Sequence, residues 1–281
     1  MTAEKILDLP NDGILNLAAD EEFLYVRCMR TLYKYKLDGM SLAASNAIFK
    51  KDGRARAMTA GESYIALRDF CDLYVIRKDD LQVEYSLKLG ENVSSDLCEV
   101  RCGASHVYLS IRGGLFAAVD IVSQSVEKQK LCDGSTWDMA YTGDKLYAGT
   151  TGGELLEIDT DGLRLIRRMQ LCKPNVHSMV YHKGMLYTAS RDRAVRIIDA
   201  ATFEVVRKTV KAISTSGLLY GVWNDALVVA DWGGVSLWDA QTLEKRESFK
   251  FPTGDYNGGV LLAGNVLYGS DKTGVYQCTL S

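Results

Sequence analysis

The chain has little of what catalysis, secretion or membrane insertion usually requires. Only three histidines occur in 281 residues, and no GxSxG, HExxH, Walker or intact GxGxxG pattern is present. Proline is scarce, at 3 against 25 glycines, which excludes collagen-like and proline-rich linker classes. The opening MTAEKILDLP has no apolar h-region, and no run approaches the roughly 18 apolar residues of a membrane helix. Charge of one sign is also lacking, because 33 Lys and Arg stand against 36 Asp and Glu for a net charge of -3. Bulk electrostatics therefore asks for neither nucleic acid nor an anionic membrane. Seven cysteines (Cys28, Cys71, Cys98, Cys102, Cys132, Cys172, Cys278) form an odd, widely spread set without a CxxC pair. Reduced thiols in a soluble cytoplasmic protein are the expectation.

What is present is a repeat. A short apolar pair recurs at Leu24-Tyr25, Ile65-Ala66, Val107-Tyr108, Leu146-Tyr147, Leu186-Tyr187, Leu227-Val228 and Leu267-Tyr268, with spacings of 41, 42, 39, 40, 41 and 40. Seven units of about 40 residues account for the chain, and that period belongs to four-stranded blades or to paired helices. Apolar residues alternate or form runs of four to six broken by Gly, Asp and Asn clusters, which is strand patterning. The unit NVHSMVYHKGMLYTASRDRAVRIIDAATFEVVRKTV predicts strands near 176–181, 185–190, 194–199 and 203–210. An Asp closes the third strand at Asp38, Asp159, Asp199 and Asp239, with Asp120 at the comparable place, where it can accept backbone N–H groups of the next turn. Glycines mark the passage from second to third strand at Gly113-Gly114, Gly152-Gly153, Gly233-Gly234 and Gly274.

The stretch SRDRAVRIIDAATFEVV and the ending Trp238-Asp239 resemble WD-repeat propellers, and LYAGTTGGELLEID resembles a quinoprotein-type blade. The likeness spans the chain with degenerate motifs: one terminal Trp-Asp, no Gly-His dipeptide, and Trp137-Asp138 opening a first strand instead. The expected fold is all-β, a seven-bladed β-propeller of four-stranded antiparallel blades in one domain over 1–281. Blades fall near 11–50, 54–90, 96–131, 135–171, 176–210, 217–251 and 258–281. The last unit has only three strands, so the N-terminal 4–9 is expected to complete it by pairing with 274–279. Leu7 and Leu9 align with Leu87 and Leu89, Met169 and Leu171, and Phe249 and Phe251 at the ends of outer strands.

Chemistry is hard to assemble from these places. His106, His177 and His182 fall at different strand ends, so no metal or catalytic role is assigned, and no cofactor is expected. Asp159-Thr160-Asp161-Gly162 lacks the later glutamate of a calcium loop and reads as a turn. Arg164, Arg167, Arg168, Arg207, Lys208, Lys245 and Arg246 on outer strands read as protection of an exposed edge. The loops between second and third strands, and those leading into first strands, should share one face. Arg27, Arg68, Arg112, Arg191, Arg193, Trp232, Trp137, His177, Tyr256 and Lys272 are the partner-binding candidates there, because arginines beside exposed aromatics typify interface hot spots. The expected function is a non-catalytic, intracellular scaffold that docks a peptide or protein within a complex, with no membrane or nucleic-acid partner. The alternative is an enzyme or small-molecule binder at the channel mouth, which needs convergent ionisable groups on first strands that read mostly apolar or small.

Overall fold

A computed structural model describes residues 1–9, 13–49, 57–69, 71–89, 97–231, 234–252, 260–271 and 273–281. Every regular element among them is a strand. After β1 (Glu4–Asp8), the first sheet is β2 (Ile14–Ala19), β3 (Phe23–Cys28), β4 (Leu32–Lys36) and β5 (Leu42–Asn46). The second is β6 (Ala57–Ala60), β7 (Tyr64–Asp69), β8 (Asp72–Arg77) and β9 (Val83–Lys88). The third is β10 (Leu97–Cys102), β11 (His106–Ile111), β12 (Leu115–Asp120) and β13 (Val126–Lys130). The fourth is β14 (Thr136–Tyr141), β15 (Lys145–Thr150), β16 (Glu154–Asp159) and β17 (Arg164–Gln170). The fifth is β18 (Val176–His182), β19 (Met185–Ser190), β20 (Val195–Asp199) and β21 (Glu204–Lys208). The sixth is β22 (Leu218–Trp223), β23 (Ala226–Asp231), β24 (Gly234–Asp239) and β25 (Lys245–Lys250). The seventh is β26 (Val260–Ala263), β27 (Val266–Ser270) and β28 (Gly274–Thr279), with β1 as its fourth strand. The fold is a seven-bladed β-propeller of four-stranded antiparallel blades.

The chain divides into two compact units, Met1–Tyr108 with Val119–Ser125 and Phe251–Ser281, and Leu109–Ala118 with Val126–Lys250. In the first unit β1 lies antiparallel to β28, Glu4 opposite Gln277, Lys5 opposite Tyr276, Leu7 opposite Val275 and Asp8 opposite Gly274, with a bulge between Lys5 and Leu7. Leu9 N–H then donates to Thr273 O at 2.9 Å, as Leu89 N–H does to Cys71 O at 2.9 Å. Ile6, Leu7 and Leu9 pack on a cluster that includes Leu24, Val26, Tyr268 and Val275. The expected closing strand is therefore present, with its last ladder pair at Asp8.

In the second unit the aspartates behave as their position requires. The Asp199 carboxylate accepts from Ala201 N–H at 2.8 Å and Thr202 N–H at 2.9 Å, Asp239 from Gln241 at 2.8 Å and Thr242 at 2.7 Å, and Asp159 from Asp161 at 3.0 Å. Four residues on, Leu163, Phe203 and Leu243 sit at φ of 45°, 62° and 59°, which turns the chain into the outer strand. In the first unit Asp120 accepts from Val122 and Ser123 in the same way. Asp38 does not occupy this place. There β4 ends at Lys36, whose N–H bonds Ser41 O as Asp120 N–H bonds Ser125 O, and Met40 supplies the positive φ of 49°. A Lys-Leu-Asp-Gly run can make the same turn from a strand that stops two residues sooner.

Burial is layered along each blade. Residues of β15, β19 and β23 are almost all buried, whereas β21 is exposed throughout. Gly153 shows why the hairpin from β15 to β16 needs glycine: its φ is +80°, and a Cβ there would lie 2.1 Å from Cys172 O. No helix among the described residues is long and apolar enough to cross a membrane.

Candidate partner-binding face

The site is built on the second unit by a local irregularity repeated in three neighbouring blades. Ladder register slips between Thr136 and Asp138 on β14, between Val176 and Ser178 on β18, and between Leu219 and Gly221 on β22. The extra residues are Trp137, His177 and Tyr220. A bulge bends its strand and re-aims a side chain that regular alternation would commit to a sheet face. Cross-links hold these strand ends side by side: Met179 N–H donates to the Asp138 carboxylate at 2.7 Å, and Leu219 N–H donates to Ser178 Oγ at 2.9 Å.

Turns between second and third strands close on the same end. Thr151 N–H donates to Ser135 O at 2.8 Å, Arg191 N–H to Asn175 O at 3.1 Å, and Gly113 N–H to Ser135 Oγ at 3.4 Å. Both loop sets thus meet here, as the strand count implies. Arg112, Arg191, Trp137 and His177 are brought to this end, with Trp137 45% exposed and both arginines exposed. Arg193, also exposed, is tied by its Nε to Ile213 O at 2.9 Å.

Electrostatics within the turn leaves Arg191 as the available charge. Asp192 is occupied by the buried Arg196 guanidinium, by Ser190 Oγ at 2.5 Å and by Ala194 N–H at 3.2 Å. Burial works to raise the Asp192 pKa, but the Arg196 and Ser190 hydrogen bonds outweigh it and hold the carboxyl at about 2. His177 Nε2 lies 2.8 Å from Gly217 O, an acceptor only, so this nitrogen carries the proton. Burial lowers the His177 pKa against the raising effect of that bond, and the Arg191 charge lowers it further. The ring is therefore neutral near pH 7, with Nδ1 a buried acceptor that has no partner among the described residues. Asp138 influences both His177 and Tyr220, and burial pushes the Tyr220 phenol up.

The expectation that Arg27 and Arg68 stand in exposed loops is corrected. They lie within β3 and β7 of the first unit, 0% and 3% exposed. The Arg27 guanidinium carbon sits 3.2 Å from the Phe49 ring centroid, and Arg27 donates to Cys28 O. Nearby, burial pushes the Asp69 carboxyl up, while Arg27 and Arg68 draw it down. Trp232, Tyr256 and Lys272 fall outside the described residues.

Asp138 and Tyr220 are the members that sequence reading left out. Trp137 and His177 are 40 apart in sequence, matching the repeat, and Asp138 follows the first of them; that coincidence was the available signal. The outer-strand cations are largely spent within their own blades. Arg164 pairs with Asp159 at 2.7 Å, Arg167 with Glu157 at 2.5 Å, Arg168 with Glu154 at 3.7 Å, and Arg246 with Asp239.

These features define a β-propeller that carries an exposed aromatic and unspent cations at one end of its first strands. In solved structures the chain is similar to a computationally designed protein, Ika8, with TM-score 0.70 and 11% identity over 98% of this chain and 99% of that one. It is also similar to a chain in the crystal structure of a mitotic checkpoint complex, with TM-score 0.77 and 12% identity over 99% of this chain and 91% of that one. Likeness at such identity shows the fold alone. No family model matches the chain, and no curated protein matches it in sequence.

Proposed function

We propose that this propeller is a non-catalytic interaction scaffold of WD-repeat type whose loop face in the second unit docks an acidic peptide segment of a protein partner. The observation that carries this reading is Trp137, left 45% exposed on a bulged strand at the same end of the first strands to which the exposed Arg191 is brought. An exposed indole costs apolar hydration that a partner relieves, and guanidinium groups at Arg112, Arg191 and Arg193 supply charge-assisted hydrogen bonds to carboxylates. Propeller folds commonly serve as such scaffolds, and one structural neighbour is a chain of a multi-protein complex. The alternative, a small-molecule or catalytic site at the channel mouth, is favoured by one observation, the neutral His177 with a bare Nδ1 next to Asp138. An array of acidic peptides probed with wild type, W137A and R191Q tests the first reading. Salt-sensitive binding that weakens about tenfold or more in each variant, at unchanged Tm, is expected. Identical binding by all three proteins refutes the face.

A further inference from the structure

The fourth and fifth blades supply an internal comparison, because the repeat places the same positions in both. On the rim of blade four a notch is filled by charge. Glu157 on β16, fully buried, accepts from Lys145 Nζ at 2.7 Å and Arg167 Nε at 2.5 Å. Arg167 reaches across to blade five, donating to Ala200 O and Ala201 O at 3.1 Å each. Tyr147 stands opposite Glu157 in the ladder, and Arg167 stands opposite it on the other side.

Forty residues later the same ladder reads Tyr187 opposite Ile197, and Ile197 opposite Arg207, with Met185 where Lys145 stood. The carboxylate and the lysine are gone; the arginine remains. In their place the second unit has an open notch of about 420 Å³, lined by Met185, Tyr187, Ile197 and Arg207 and by Ala240 and Gln241, the counterparts of Ala200 and Ala201. Arg207 is exposed and pairs with no carboxylate among the described residues. Tyr187 is 4% exposed, as its blade-four counterpart Tyr147 is 3% exposed, so the ring wall is common to both blades. A tyrosine ring and a cation without its anion thus face one apolar-walled space.

We propose that this notch binds a small organic monocarboxylate with an apolar body. The ligand carboxylate takes the place of the Glu157 side chain, accepting from the Arg207 guanidinium, while its hydrocarbon part covers Met185, Ile197 and Val206. Lys183 and Asp225 both line the rim and act in opposite senses on His182, so the rim carries no net bias of charge and Arg207 is the cation set against the apolar wall. This site is separate from the docking face, and neither inference depends on the other.

The test uses the full chain, titrated with 4-methylpentanoate, with its neutral amide and with glutarate, by calorimetry and by amide chemical shifts of residues 185–207. Saturable binding of the monocarboxylate is expected, absent for the amide and weaker for glutarate, which has a second charge in place of the apolar end that covers Met185, Ile197 and Val206. R207Q should weaken it about tenfold or more, the loss expected for one charge-assisted hydrogen bond. The pair M185K and I197E rebuilds the blade-four arrangement and should abolish binding by filling the notch from within. Should that pair melt early, R207Q still decides, because Arg207 is exposed. Equal binding of acid and amide, indifference to R207Q, or no saturation at millimolar ligand overturns the proposal. So does binding of a capped glutamate dipeptide without binding of 4-methylpentanoate.

Discussion

Replacing Glu157 offers the sharpest test of the forces that join blades four and five. Its carboxylate is fully buried, while Lys145 and Arg167 are each 34% exposed. Breaking a buried pair by removing one partner costs about 3–5 kcal/mol, because the other charge stays desolvated. Both cations here retain a path to water, so the lower end applies, about 3 kcal/mol for E157A. For a chain of this size about 2 °C of melting temperature is lost per kcal/mol, which puts E157A roughly 6 °C below wild type. E157Q keeps the shape and some hydrogen bonding and should fall near half that. E157I imitates blade five, where Ile197 holds the same ladder place, and should cost less than E157A. Urea titration followed by tryptophan fluorescence, with calorimetric melting as the second probe, reads all three. An E157A chain that melts within about 1 °C of wild type refutes the view that this buried charge supports the junction.

Deleting residues 1–9 removes three partly buried apolar side chains and the β1 ladder, roughly 5 kcal/mol together, and should shift the urea midpoint strongly; an unchanged midpoint refutes the closing role of β1. G153A should cost about 2 kcal/mol or more, since it combines a left-handed backbone with a 2.1 Å approach to Cys172 O; neutral stability by urea titration contradicts it. Acid sensitivity follows from carboxylates whose folded pKa lies below the unfolded value. Asp192 and Asp20 are held at about 2 and Glu157 is lowered, so their contribution is complete above about pH 4–4.5 and is lost as pH falls towards 2. Melting temperature against pH should therefore drop steeply in that window, and a flat profile refutes it.

The 40-residue period made the architecture readable, since each blade repeats the same turn chemistry and the spare outer strand had one candidate donor. Arg27 and Arg68 were misplaced for a physical reason. Second strands such as β3 and β7 are covered on both faces, so polarity along them carries no alternating signal, and an arginine near the strand end looks like the first residue of a loop. The bulges at Trp137, His177 and Tyr220 are not legible in the sequence because each falls at the second or third residue of its strand, where too few residues precede it for the change of face to show. In the sequence Arg167 reads as edge protection; its pairing with Glu157 depends on a carboxylate in the adjacent strand, which a pattern of single strands does not reveal.

Lys5 Nζ donates to Thr273 Oγ1 at 3.3 Å across 268 residues of sequence. Synthesis at roughly 5–20 residues per second keeps the leading segment waiting roughly 13–54 s for its mate. During that interval Ile6, Leu7 and Leu9 have only the early side of their cluster, Leu17, Leu24 and Val26, and a nascent chain halted before Gly274 never gains Val275 or the β28 ladder. A ribosomal product cut short thus advertises its own incompleteness through a greasy, unmatched β1, the kind of signal a chaperone or protease reads.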